Sequence, residues 1–466
     1  MGSAGNIGNI EKMNNKIKTE VKKETDLTQG SILDKVLMFA IPLALTSMLQ
    51  QLFNATDIAV VGKFASKEAM AAVGSNAPIV SLMVNFFVGL SVGANVIIAR
   101  NIGAKNFEKA KSAVGTAMSL ALISGVTVAA LGNLIAGPIV DLLGVPAEVR
   151  AYSILYLRIY FAGMPFIMLY NFEAAIFRSA GNTRTPLICL FTGGVLNVGA
   201  NLFFVIVLGM DVDGVAIATV LANVVSSMML LYFLRREEGV IHVDLRAIKI
   251  DRQILISIAK IGLPAGLQGA VFSLSNLCMQ SAINSLGADY MAASSAAYNI
   301  EMAVYFFINA FGQALTTFVG QHCGAGKYDR CRTVIRRTML MSWAFTVGLS
   351  ILMLIAARPA LSLFTDDATV LDIAVTRVKI LLYGETFNVI MDNLSGVMRG
   401  LGKSFAPALI SVIGVCGVRI TWVFTGFKIY HSWVPLMLLF PISWAITAAI
   451  IAIIYFKDRK TLLPAE

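Results

Sequence analysis

Charged residues are scarce in this chain. Only 14% of its 466 residues are Asp, Glu, Lys or Arg, whereas 57% are hydrophobic. Soluble globular domains usually carry about 25% charged residues, so the composition argues against that class and favours a membrane protein. The chain also contains few residues suited to metal sites or disulfides. Its three histidines lie far apart along the chain, and its five cysteines have neither the spacing of a metal site nor that of a disulfide framework.

Motifs for nucleotide hydrolysis or covalent catalysis are missing as well. Gly402-Lys403-Ser404 has the end of a Walker sequence, but Val397 occupies the position that requires the first glycine. No nucleophile with a partnered base can be assembled from the sequence, so we expect neither an enzyme nor a bound cofactor. Residues 1–30 are polar and lack the apolar core of a signal peptide, which predicts a disordered cytoplasmic tail.

Long apolar segments are abundant instead. Stretches of about 20 residues recur between Leu37 and Tyr455, and each is long enough to cross a bilayer as a helix. They predict an all-α, polytopic membrane protein with twelve transmembrane helices. Lys and Arg concentrate in the even-numbered loops, so the positive-inside rule predicts a multi-pass plasma-membrane protein with both termini in the cytoplasm. Topology thereby accounts for the net charge of +10, and no nucleic-acid partner is expected.

An internal duplication divides the chain into two halves. The segment Phe177-Arg178-Ser179-Ala180-Gly181 recurs as Met398-Arg399-Gly400-Leu401-Gly402, at an offset of 399 − 178 = 221 residues. Two halves of six spans share one orientation, which predicts two pseudo-symmetric six-helix lobes around a central cavity, and transport by alternating access. The predicted boundaries are 31–236 for the N-lobe, 237–252 for a cytoplasmic linking loop, 253–457 for the C-lobe and 458–466 for a cytoplasmic C-terminus.

Polar side chains in the first, fifth and sixth spans form a candidate cation site. Asn197 and Asn201 share one face of the fifth span, Asp57 lies in the first and Thr219 in the sixth. Counting residues from the outer helix ends places the groups at similar depths, about 8 to 12 Å inside the outer surface. Carboxylate, amide and hydroxyl oxygens suit Na⁺. A buried carboxylate can bind H⁺ instead, and hydrogen bonding that merely holds the helices together is the structural alternative.

A second set of polar residues predicts the lining of the cavity. Glu301 and Asp392 would attract cationic substrates, although polar packing between helices accounts for them equally well. Members of the set share one face within each of three spans. They are Gln50 and Asn54 in the first span, Glu301, Tyr305 and Asn309 in the eighth, and Glu385, Asn388 and Asp392 in the tenth.

The run from Gln50 to Gly62, followed by Ala71-Ala72-Val73-Gly74, resembles the first-span signature of the multidrug and toxic compound extrusion (MATE) transporters. The repeated Arg-to-Pro segments 178–186 and 399–407 and the two-times-six design are similar to that family over nearly the whole chain. The resemblance implies a monomeric exporter of cationic, amphiphilic drugs, driven by exchange for Na⁺ or H⁺. It also implies that the coupling cation is bound by Asp57, Asn197, Asn201 and Thr219.

Some family members carry a glutamate in the seventh span and an aspartate in the tenth. This chain has Gln268 and Asn276 in the seventh span and Asn388 in the tenth, which weighs against a second ion site in the C-lobe. The main alternative function is a flippase for lipid-linked saccharides from the same superfamily. A flippase would need a cationic cavity, whereas Arg158, Lys260 and Arg419 are scattered along the sequence. A channel is the third alternative, although two rocking halves suit a carrier better.

Overall fold

The computed structural model describes residues 26–244 and 249–464, and within these residues the chain forms twelve long helices joined by short loops. The helix bounds are α1 (Ile32–Phe64), α2 (Lys67–Gly103), α3 (Phe107–Leu142), α4 (Ala147–Ser179), α5 (Arg184–Val207), α6 (Val212–Arg236), α7 (Arg252–Asn284), α8 (Ala288–Gly324), α9 (Tyr328–Leu361), α10 (Ala368–Gly400), α11 (Phe405–Tyr430) and α12 (Trp433–Leu462). The prediction of an all-α fold with two lobes, α1–α6 and α7–α12, is confirmed.

Eleven of these helices are long and apolar enough to span a bilayer. The remaining one is α10, which has 33 residues but carries several charged side chains between Arg377 and Asp392. Most of these side chains point away from lipid, because Arg377 and Glu385 are only 5% and 3% exposed. A helix that buries its ionisable residues inside the protein can still cross a membrane.

The two lobes meet closely at one end of the bundle, which we call the basic side because both described chain ends and the Lys- and Arg-rich loops lie there. Glycines allow the contact. A Cβ atom on Gly93 of α2 would overlap the Ile258 carbonyl oxygen of α7, and one on Gly103 would overlap that of Gln321 on α8. Only glycine permits such close backbone approach.

Hydrogen bonds between the lobes reinforce this close glycine contact, which we call the glycine seal. The hydroxyl of Thr317 on α8 donates to Asn95 Oδ1 on α2 (3.0 Å), and Gln321 Nε2 donates to the Ser179 carbonyl of α4 (2.7 Å). Further from the basic side, Asn85 Nδ2 donates to Ser273 Oγ (2.9 Å). The lobes are therefore joined from mid-membrane to the basic side, which closes that entrance.

The predicted disordered tail requires a correction at its end. Residues 1–25 lie outside the described part of the chain, but residues 26–31, here the N-terminal strap, are packed on the protein. Leu27 is 5% exposed and lies against Gly181 of the N-lobe. Thr28 Oγ1 accepts a hydrogen bond from Lys327 Nζ of the C-lobe at 3.0 Å. The polar composition of residues 1–30 gave no sign of these contacts.

The C-terminal boundary also differs from the prediction. The last helix continues to Leu462, five residues beyond the predicted lobe boundary at 457. Arg332 Nη2 donates to the Leu463 carbonyl (2.7 Å), so the chain end is held against α9. A helix does not have to end where its apolar stretch ends, because Lys and Arg side chains extend to the interface. Part of the linking loop, 245–248, lies outside the described residues.

Candidate functional site

The four residues predicted to bind a cation lie together in the N-lobe. Asp57 Oδ1 accepts a hydrogen bond from Asn201 Nδ2 (2.5 Å), and Asp57 Oδ2 accepts one from Thr219 Oγ1 (3.2 Å). Asn201 Nδ2 also lies 3.3 Å from Asn197 Oδ1, and Asn197 Nδ2 lies 3.4 Å from Thr219 Oγ1. Three helices, α1, α5 and α6, thus contribute to one closed ring of polar groups, which we call the Asp57 cluster.

Two adjacent glycines bring these helices together. A Cβ atom on Gly194 of α5 would overlap the ring of Phe53 on α1, and one on Gly193 would overlap the Ser226 hydroxyl of α6. The backbone of α5 is therefore in direct contact with both neighbours about two turns before Asn201. After Leu202 the helix widens into a π-helical turn, Phe203–Val207, a feature often found at functional sites.

The oxygen atoms of the cluster fit a small hard cation. Asn201 is fully buried, and its Oδ1 atom has no hydrogen-bond donor among the described residues. A buried oxygen without a donor is costly, and a cation or a water molecule would satisfy it. Asp57 supplies a carboxylate and Thr219 a hydroxyl oxygen, which with the amide oxygens form a ligand set of the kind hard cations prefer.

Two tyrosines near the cluster escaped the sequence analysis. Tyr156 and Tyr160 of α4 are each 8% exposed, and their rings stack with centroids 6.1 Å apart. Both lie close enough to Asp57 to interact with it electrostatically. Their spacing of four residues places them on one face of α4, but an aromatic pair in a span usually indicates packing, so the sequence alone gave no reason to select them.

The other first-span candidates do not join the Asp57 cluster. Gln50 and Asn54 are exposed at the protein surface, and neither makes a hydrogen bond to the cluster among the described residues. Helical spacing predicts that they share one face of α1 with Asp57, but it does not predict which of these residues the neighbouring helices cover. Whether Gln50 and Asn54 line a substrate path stays a prediction.

In the C-lobe, Glu301 is held by a partner that the sequence analysis missed. Arg377 of α10 binds Glu301 through two hydrogen bonds, Nε to Oε1 at 2.7 Å and Nη2 to Oε2 at 2.8 Å. Its remaining nitrogen donates to Ser294 Oγ at 2.7 Å. Both side chains of the ion pair are almost fully buried. Arg377 precedes Glu385 by eight residues and so shares its helical face, which was the available signal.

The remaining C-lobe candidates also contact residues of their own lobe. Glu385 Oε2 accepts a hydrogen bond from Asn388 Nδ2 (2.7 Å), and both residues are 3% exposed. Asp392 lies 3.7 Å from Arg399 and contacts Gly312 of α8. On α8, Asn309 Oδ1 accepts from Gln313 Nε2 (2.7 Å), and Tyr305 is half-buried. Of these contacts, only that of Asp392 with Gly312 crosses between α10 and α8, and a substrate role for the residues remains a prediction.

Arg377, a span cation that the sequence analysis did not consider, lies near Arg419 in the C-lobe. The guanidinium of Arg419 lies 4.1 Å from the ring centroid of Phe440, and that of Arg377 lies 5.9 Å from the same ring. Arg419 is 2% exposed and also lies 5.3 Å from the ring centroid of Trp444. The sequence gave no sign that Arg377 and Arg419 are close, because α10, α11 and α12 come together only in the folded lobe.

Known proteins share both the sequence pattern and the fold. A family model described as MatE matches residues 42–203 and 264–425, two equal blocks in the two halves. "Probable multidrug resistance protein YoeA" of Bacillus subtilis (strain 168) is 28% identical over 462 residues, covering 95% of this chain and 99% of the relative. "Probable multidrug resistance protein NorM" of Thermotoga maritima is 29% identical over 411 residues, covering 85% and 86%.

Solved structures agree on the fold. One described as "Outward-facing conformation of a multidrug resistance MATE family transporter of the MOP superfamily" aligns with a TM-score of 0.84 at 23% identity, covering 94% of this chain and 98% of that one. The block spacing of the family model, 264 − 42 = 222 residues, agrees within one residue with the repeat offset in the sequence. Because the family model matches well over half of the residues, the chain belongs to the MATE family of multi-span membrane transporters.

Proposed function

We propose that this protein is a secondary active antiporter of the cytoplasmic membrane, which exports cationic, amphiphilic drugs or toxic organic compounds in exchange for Na⁺ or H⁺. The Asp57 cluster carries this proposal. It is the place in the N-lobe where a carboxylate, two amides and a hydroxyl converge, and one of its buried oxygens has no donor among the described residues. Relatives named as multidrug resistance proteins support the substrate class.

Alternating access follows from the two lobes. With the basic side closed, the Asp57 cluster exchanges its cation with the outer side. Cation binding draws α1, α5 and α6 together around Asp57 and favours reopening towards the cytoplasm, where drug displaces the cation. A ligand shifts such an equilibrium only through its different affinities for the two states, and an almost complete switch needs about 5.5 kcal/mol. Ionic ligation by one buried carboxylate can supply much of that difference.

The test is ethidium transport by full-length protein in proteoliposomes, with a Na⁺ gradient and a H⁺ gradient imposed separately. Asp57→Asn should abolish gradient-driven transport while the protein remains folded and inserted. Asp366→Asn is the matched control, because it removes the same charge from an exposed loop position and should transport like the wild type.

Transport under one gradient only, lost in Asp57→Asn, would identify the coupling ion. Wild-type transport by Asp57→Asn would show that this carboxylate does not couple the ion. Absence of ethidium transport under both gradients by the correctly inserted wild type would refute drug–cation exchange for this compound class.

A further inference from the structure

A pocket of about 410 Å³ lies on the basic side between the start of α1 and the first turns of α9. It is separate from the Asp57 cluster and joins the two lobes, since α1 begins the N-lobe and α9 belongs to the C-lobe. The lining residues are Gly30, Ser31, Ile32, Leu33, Asp329, Arg330, Thr333 and Arg337. We call this the α1–α9 pocket.

Two arginines give the pocket its chemistry. Arg330 donates from Nη2 to the Gly30 carbonyl (2.5 Å), and its Nε atom is buried without an acceptor among the described residues. Arg337 is exposed, and its guanidinium has no hydrogen-bond acceptor or carboxylate partner among the described residues. The one acidic side chain of the lining, Asp329, is bonded to Arg332. Guanidinium groups bind phosphate oxygens with matched geometry.

The backbone of α1 adds to this positive character. Ser31 caps the helix by accepting one hydrogen bond, from Asp34 N, and Ser31, Ile32 and Leu33 of this helix start line the pocket. The first turn of a helix favours anions, and here it lies beside two guanidinium groups. A buried guanidinium nitrogen without an acceptor, an unpaired arginine and a cavity of suitable size together indicate an anion.

The depth of the pocket indicates where that anion comes from. Arg337 is the last charged residue before the apolar part of α9, and Lys35 is the last before that of α1. The pocket therefore lies at the level of lipid headgroups. Leu340, beyond the pocket on α9, is 59% exposed, and Leu33 in the lining is 46% exposed, as expected for side chains next to acyl chains. Basic pockets between helices on this side of a membrane commonly bind anionic headgroups.

We propose that the α1–α9 pocket binds the phosphate group of an anionic phospholipid, whose acyl chains lie along the exposed leucines of α1 and α9. The phosphate contacts Arg337 and Arg330 of the C-lobe together with the first turn of α1 from the N-lobe. It therefore bridges the lobes at the end where they are closed, next to the N-terminal strap, and stabilises the closed basic side. A ligand that requires both lobes in contact favours the state in which they touch.

The experiment uses delipidated full-length protein in neutral detergent and measures lipid binding by native mass spectrometry and by thermal unfolding. The probes are phosphatidylglycerol, phosphatidylcholine and inorganic phosphate. Arg337→Gln removes a pocket cation that has no hydrogen-bond or ion-pair partner among residues 26–244 and 249–464, and Arg336→Gln is the matched control, since Arg336 is its exposed neighbour outside the pocket. Loss of one charged hydrogen bond should weaken phosphatidylglycerol binding about tenfold in Arg337→Gln, and Arg336→Gln should bind like the wild type.

Phosphatidylglycerol should raise the unfolding temperature of the wild type and Arg336→Gln, with little effect on Arg337→Gln. Equal loss in both variants would overturn the proposal, because only general surface charge would then be involved. Equal binding of phosphatidylcholine would overturn it as well. If inorganic phosphate binds as tightly as the lipid and competes with it, the phosphate site is supported and the lipid source is refuted.

Discussion

The buried ion pair between Glu301 and Arg377 offers a test that separates a structural role from a substrate role. Glu301 was selected from the sequence as a residue that could attract cationic substrates, but in the folded lobe Arg377 occupies both of its oxygens. Glu301→Gln keeps the size of the side chain and removes its charge. The Arg377 guanidinium then remains buried without a counter-ion, because Ser294 supplies only a neutral acceptor.

The cost of this change follows from burial. The two side chains are 6% and 4% exposed, and breaking a buried pair by removing one partner typically costs about 3 to 5 kcal/mol. An exposed ion pair in the same lobe provides the control. Arg358 and Asp372 lie 3.0 Å apart with more than half of each side chain exposed, so Asp372→Asn should cost less than about 1 kcal/mol.

Unfolding of purified protein in detergent, followed by heat and by chemical denaturant, measures both variants. The double variant Glu301→Leu/Arg377→Met removes both charges and should recover most of the lost stability, since apolar residues often replace a buried ion pair at little cost. If Glu301→Gln destabilises the protein no more than Asp372→Asn does, the buried pair is not a stabilising contact. Ethidium transport by a stable double variant would show that Glu301 is not needed to bind substrate, whereas loss of transport without loss of stability would restore its substrate role.

Two further predictions concern the Asp57 cluster and the closed basic side. Thr219→Val removes the hydroxyl that donates to Asp57, so the concentration of coupling cation needed for half-maximal transport should rise about tenfold. Thr219→Ser keeps the hydroxyl and should remain near wild type. Equal activity of both variants would exclude the hydroxyl as a ligand. Gly93→Ala places a methyl group on the Ile258 carbonyl of the opposite lobe and should push the lobes apart at this point. Cysteines introduced at the basic-side interface should then be more accessible and be alkylated faster. Gly74→Ala is the control, because nothing lies within 4 Å of its Cβ position, and identical labelling of the two variants would contradict the proposed glycine seal.

Much of the fold follows from local properties of the sequence. The thickness of the bilayer sets the length of the apolar stretch that a spanning helix needs, so twelve helices could be counted before their packing was known. The repeat at residues 178 and 399 required two lobes, and helical periodicity placed Asn197 and Asn201 on one face of α5. For the Asp57 cluster, depth counting worked because Asp57, Asn201 and Thr219 lie near the same ends of neighbouring helices.

Contacts between elements distant in sequence were decided only by the tertiary structure. Arg377 and Glu301 find each other because α8 and α10 pack side by side, although 76 residues separate them. The N-terminal strap packs through Leu27 against Gly181 of one lobe and through Thr28 against Lys327 of the other. The polar composition of the strap does not predict either contact. Sequence periodicity fixes which face of a helix a residue occupies, but the partner of that face depends on how the helices pack, and in this chain close glycine contacts set that packing.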